Sequence, residues 1–253
     1  MIKKAITLKR EGLFTNFMRR GVLTIAVALT LLGLMLAAIT LWLGFTWAPG
    51  VNPDDWKAPE AYRILFWHVP AAWASFQAFT LLFIGSGAWF LKRLEWGWKL
   101  HVVGAQLGLV FGLCVIISGP IWGTAEWGTP WDLTDVRLNT YAVLTSLSLF
   151  LVMGHQAQPD TEDTRDTFSS VGLFGFILVP ITIISIRIWQ NRHPGPVIGG
   201  GEDSGLDPQI LMVLLFGLFS FQILVAGQVM LRYLIGGLED RLTEIQGKLD
   251  TRY

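Results

Sequence analysis

The chain has 253 residues, of which 52 % are hydrophobic and only 15 % charged, with a formal net charge of zero and a mean hydropathy of +0.50. A water-soluble surface needs more charge than this, because soluble domains carry about 25 %. Disorder requires the opposite composition, and a neutral chain offers no electrostatic footprint for nucleic acid. The single cysteine excludes an internal disulfide, a cysteine metal cage and a C-x-x-C-H haem attachment site.

The composition predicts an all-α polytopic membrane protein. A span needs about 20 apolar residues to cross about 30 Å of hydrocarbon, and lipid offers backbone groups no partners, so spans must be helices rather than open strands. Six stretches fit: 21–44, 64–91, 100–119, 136–154, 171–189 and 210–236. Residues 1–20 are basic and polar, and 21–44 is too long for a signal-peptide core, so a leader is not expected. Six spans put both termini on one side, together with fourteen of the nineteen Lys and Arg residues. That bias predicts cytoplasmic termini, and the membrane is expected to be the plasma membrane. The tail, 237–253, spaces Leu238, Leu242, Ile245 and Leu249 along one helical face, which predicts a short amphipathic helix.

Three connecting segments then face outward. The middle one, 120–139, reads PIWGTAEWGTPWDLTDVRLN and is expected to be irregular between its Gly and Pro signals. Twelve tryptophans are present in all. An aromatic belt at the membrane surface accounts for Trp42, Trp47, Trp89, Trp96 and Trp98. It accounts less well for Trp122, Trp127 and Trp131, which share one short segment with glycines.

Four histidines remain to be placed. His101 and His155 stand at the cytoplasmic ends of spans, where histidine is ordinary. His68, in RILFWHVPAAW, and His193, in WQNRHPGP, are distant in sequence yet share one membrane depth on the outer side. An ionisable residue in a span is a functional candidate. The spacing alone equally fits two interfacial histidines bonded to carbonyls. Two outward imidazoles beside several indoles do suit haem, whose iron takes imidazole ligands and whose apolar face packs on tryptophan. Propionates need cations, and Arg63, Arg137 and Arg192 stand beside these features.

From Tyr62–Trp73 (YRILFWHVPAAW), through Ser118–Trp131 (SGPIWGTAEWGTPW) and Asp135–Leu138, to Ser204–Pro208 (SGLDP), the chain resembles the haem-handling protein C family of cytochrome c maturation, also called haem exporter protein C (CcmC). Helix order and loop placement match over nearly the whole chain. The sequence departs from the family pattern at Pro130-Trp131, where a tryptophan pair is usual, and at Leu133-Thr134, which replaces a tryptophan before the aspartate. The resemblance implies a non-enzymatic protein that binds haem b non-covalently at the outer face and delivers it to a haem chaperone. It implies His68 and His193 as axial ligands of the haem iron, and a tryptophan-rich (WWD) loop carrying Trp122, Trp127, Gly128, Trp131, Asp135 and Arg137. It also implies the membrane and ATP-binding subunits of an ABC transporter as partners, and the chain itself has no Gly-Lys-[Ser/Thr] phosphate loop. Asp135 is equally placed to cap the fourth helix. The rival classes are a b-type haem quinol oxidoreductase subunit, a permease subunit of a haem exporter, and a structural assembly subunit.

Overall fold

The computed structural model describes residues 2–188 and 206–250, with side chains described for 19–185 and for 206–250 apart from Glu244. Every regular element among them is helical. In chain order these are α1 (Ile2–Thr46), a short 3-10 turn (Pro59–Ile64), α2 (Leu65–Lys92), α3 (Glu95–Trp127), α4 (Val136–Ala157), α5 (Glu162–Gly175), α6 (Leu178–Ile188) and α7 (Pro208–Asp250). Six segments are long and apolar enough to cross a membrane: Arg19–Thr46, Pro59–Lys92, Glu95–Trp127, Val136–Ala157, Glu162–Ser185 and Pro208–Asp250. The expected all-α polytopic architecture is therefore present.

α2 packs chiefly along α3, and α1 along α7; α4 rests on α3 and α6, and α5 on α2. Small residues set these approaches, as lipid-embedded helices require. A Cβ on Gly104 would lie 2.4 Å from the Leu82 backbone nitrogen across the α2–α3 contact, and one on Gly33 would lie 2.6 Å from the Leu224 backbone across α1–α7. The α2–α3 turn is only Arg93 and Leu94. Arg93 takes the left-handed conformation (φ 53°), and its N–H returns to Trp89 O at 2.7 Å, closing the helix end as an αL motif.

Several boundaries differ from the sequence reading. α3 includes Pro120–Trp127, eight residues assigned above to the outer segment 120–139, so the irregular part is confined to 128–135. Proline removes one hydrogen bond without ending a helix that neighbours support. The fifth span begins at Glu162, because Thr161 Oγ1 caps Thr164 N–H and Glu162 and Asp163 favour a helix N-terminus. It breaks at 176–177, where Pro180 leaves the Phe176 carbonyl without its i+4 donor. The basic segment before residue 21 continues α1 instead of preceding it. The tail is the continuous end of α7 rather than a separate helix; its apolar residues Leu238, Leu242, Ile245 and Leu249 are all exposed.

The alternation of spans gives the bundle two ends. One, the tryptophan end, gathers the end of α1, the 3-10 turn, the end of α3 and the start of α4. The other gathers the α2–α3 turn, the α4–α5 connection and the α7 tail.

Candidate functional site

At the tryptophan end, α3 overshoots the apolar span and lifts Trp122 and Trp127 onto its last turns. Their rings meet edge to face, 4.8 Å between centroids, and Trp122 meets Trp56 in the same manner at 6.4 Å. α3 then stops at Gly128, whose φ of 76° is a conformation that side chains resist. Gly128 N–H returns to Thr124 O at 3.2 Å.

The first connecting segment is laid against this extension by one carboxylate. Glu126 Oε1 accepts from Lys57 N–H at 3.1 Å and Oε2 from Ala58 N–H at 2.9 Å. Neither Trp56 nor Glu126 stood out in the sequence. Their role depends on α3 running through Pro120, which spacing did not reveal.

The segment after Gly128 is held mainly by its own side chains. Thr129 Oγ1 donates to Trp131 O, and Trp131 Nε1 donates to Asn139 Oδ1 on α4 at 3.2 Å. Asp132 Oδ1 accepts from Thr134 N–H at 2.9 Å. Asp135 is the N-cap of α4: Oδ1 takes the Arg137 and Leu138 N–H groups at 2.9 and 3.1 Å, and Oδ2 pairs with Arg137 Nη2 at 3.0 Å. The capping role foreseen for Asp135 is therefore present, and it also aims the Arg137 guanidinium.

His68 sits on the first turn of α2, partly buried and turned towards α3 and α4 rather than lipid. Its Nδ1 lies 2.9 Å from Ser118 Oγ, and its Cε1 lies 3.5 Å from where a Cβ on Gly119 would stand. Trp122 is one helical turn beyond Ser118 on the same face. No hydrogen bond reaches His68 Nε2 among the described residues. Thus His68, Trp122, Trp127, Gly128, Trp131, Asp135 and Arg137 gather at one end of the bundle.

Arg63 is placed differently. Its Nη1 donates to the Gly44 carbonyl and to Ala48 O at 3.1 Å, closing the end of α1, while Nε pairs with Glu60 at 2.7 Å. His193 and Arg192 lie outside the described residues.

The other two histidines meet at the opposite end. His101 Nε2 and His155 Nε2 are 3.1 Å apart, and His101 Nδ1 is 2.8 Å from Ser86 Oγ. Trp98 stacks on His101 at 4.8 Å, and Phe168 meets the His155 ring edge to face. An iron between two imidazoles in line needs about 4 Å between nitrogens, at about 2 Å per bond. This pair faces itself and leaves no such gap.

The fold and this site define a polytopic helical membrane protein with an aromatic, histidine-bearing surface at one membrane edge. The sequence profile of the family described as heme exporter protein C matches residues 14–245, and the chain belongs to that family. It is 26 % identical to heme exporter protein C of Escherichia coli K12 over 196 residues, 78 % of each chain. It is 31 % identical to heme exporter protein C of Bradyrhizobium diazoefficiens over 177 residues, 68 % of this chain and 65 % of that one. Against a ccmC-like mitochondrial cytochrome c biosynthesis protein of Marchantia polymorpha, identity is 30 % over 173 residues, 68 % of this chain and 72 % of that one.

Proposed function

We propose that the protein binds haem at its tryptophan end and delivers it to a haem chaperone during cytochrome c maturation. Family membership supports the haem-handling role. The observation that carries the site is His68, held at Nδ1 by Ser118 with no hydrogen bond to Nε2 among the described residues, while Trp122 of the Trp122–Trp127 pair stands one turn beyond Ser118. Haem would supply an iron that accepts imidazole nitrogen and a greasy macrocycle that packs on indole. Those donors and faces are present, so the residues fit the group.

In this reading His68 is the axial ligand carried by a helix and His193 the one carried between α6 and α7. His193 follows Ile188, the last residue of α6, by five positions in the sequence. Trp122, Trp127 and Trp131 receive the ring, and Gly128 lets the chain turn beneath it. Arg137, and Arg192 beside His193, pair with propionates; Arg63 joins them only by leaving the α1 carbonyls. Binding is non-covalent, since the one cysteine, Cys114, lies within α3. The tryptophan end faces away from the cytoplasm of a plasma membrane, with both termini inside. The protein is not an enzyme. It works with the membrane and ATP-binding subunits of an ABC transporter, which supply the ATP hydrolysis.

The inner histidine pair weighs against a quinol-oxidising cytochrome. Electron transfer across the membrane calls for a second haem position, and the 3.1 Å contact between His101 and His155 closes the obvious one.

The test is transfer. Haem-loaded protein in nanodiscs is mixed with the tagged apo-chaperone, which is then recovered and its haem absorbance measured. Loading that depends on the protein and falls in Trp127→Ala/Trp131→Ala supports the reading. Loading at the same rate from protein-free nanodiscs overturns it.

A further inference from the structure

The α2–α3 hairpin carries the same polar device at both ends, with the partners exchanged. At the tryptophan end the histidine is on α2 (His68) and the serine on α3 (Ser118); at the other end the serine is on α2 (Ser86) and the histidine on α3 (His101). In each case the serine hydroxyl also has an acceptor on its own helix, four residues back. Ser118 Oγ is 2.6 Å from Cys114 O, and Ser86 Oγ is 2.7 Å from Leu82 O.

A hydroxyl has one proton, and a carbonyl oxygen can only accept. The Ser118 proton is therefore given to Cys114 O, and the oxygen offers its lone pairs to His68 Nδ1. The Nδ1 atom must carry the hydrogen. A neutral His68 ring is left with its lone pair on Nε2, the form in which imidazole binds a metal. The same logic puts a lone pair on His101 Nε2, but there His155 occupies it. The inner device is closed by His155, and the outer one is open among the described residues.

We infer that Ser118 is a positioning residue for the haem ligand: its oxygen accepts the hydrogen bond from His68 Nδ1–H, locks the ring between α2 and α3, and presents Nε2 to the iron. This rests on the reading of His68 as an axial ligand. It adds a residue outside the tryptophan-rich segment whose function is to set the tautomer and donor strength of that ligand. A partner on the remote ring N–H orients a metal-bound histidine and raises its basicity, and its loss typically lowers affinity 10- to 100-fold.

The experiment compares wild type, Ser118→Ala, Ser118→Thr and His68→Ala in nanodiscs, by haem titration and by the midpoint potential of the bound haem. Fold is checked independently by the melting temperature of the haem-free proteins. Ser118→Ala is expected to bind haem about 10-fold more weakly and to raise the potential, because a less basic ligand favours ferric iron less. Ser118→Thr, which keeps the hydroxyl and its bond to Cys114 O, is expected to restore both. If Ser118→Ala equals wild type in both readouts while His68→Ala loses a ligand band, the inference fails and the ligand assignment stands. If Ser118→Thr is as impaired as Ser118→Ala, the hydroxyl is not the operative group and the inference also fails. If His68→Ala leaves the spectrum unchanged, the underlying assignment itself is wrong.

Discussion

Glu126 gives the sharpest test of how the tryptophan surface is assembled. Its two carboxylate oxygens each take one backbone N–H, from Lys57 and from Ala58, and so hold the first connecting segment, with Trp56, against Trp122. Hydrogen bonds to a charged acceptor contribute about 1.5–3 kcal/mol when shielded. The Lys57 bond is exposed and the Ala58 bond only partly buried, so together they amount to about 2 kcal/mol. Glu126→Ala should therefore raise the local opening equilibrium of 47–64 by about 30-fold, at 1.4 kcal/mol per decade. Hydrogen exchange read by mass spectrometry in nanodiscs should show that acceleration in peptides covering 47–64 and none in peptides from α5. Glu126→Gln should recover at most half of it, since an amide offers one acceptor and turns a donor towards the other N–H. Equal exchange of 47–64 in wild type and Glu126→Ala would refute the reasoning.

Other expectations follow from the same contacts. Asp135→Ala should cost about 1 kcal/mol through loss of the α4 cap, whereas Asp135→Asn, which keeps the capping oxygen, should melt within about 0.5 kcal/mol of wild type while weakening haem binding by releasing Arg137; equal melting losses in both would contradict the assignment. Arg63→Ala should lower the stability of the haem-free protein by about 1–3 kcal/mol, because its guanidinium closes α1; a residue reserved for propionates would leave the haem-free melt unchanged. His101→Ala should destabilise the protein by about 3 kcal/mol, from the cavity and the orphaned His155 N–H, yet leave the visible spectrum of bound haem as in wild type.

Much of the architecture could be read directly from hydrophobic runs, because a run of about 20 apolar residues has few alternatives. The helix ends were less legible. Gly119-Pro120 looks like a break, but α3 continues because its flanks are supported, and only a positive-φ glycine, Gly128, stops it. Gly236-Gly237 did not end α7 either. Among the candidate site residues, His68 and the clustered tryptophans stood out by residue type and spacing, and the loop set that includes Asp135 and Arg137 by the family resemblance. Glu126, Asn139 and Ser118 were not, since each acts through a partner on another element, and sequence alone does not pair elements. Arg63 shows the converse: its proximity to His68 in sequence suggested a propionate partner, while the fold spends it on the carbonyls of Gly44 and Ala48.

The central claim is that two imidazoles from distant parts of the chain share one iron at the tryptophan end. The visible and magnetic circular dichroism spectra of the purified, haem-loaded protein test it most directly, recorded beside His68→Ala and His193→Ala. The account predicts a low-spin, bis-imidazole spectrum in wild type and a shift to high-spin or five-coordinate haem in each variant. A wild-type spectrum retained in both variants would contradict it.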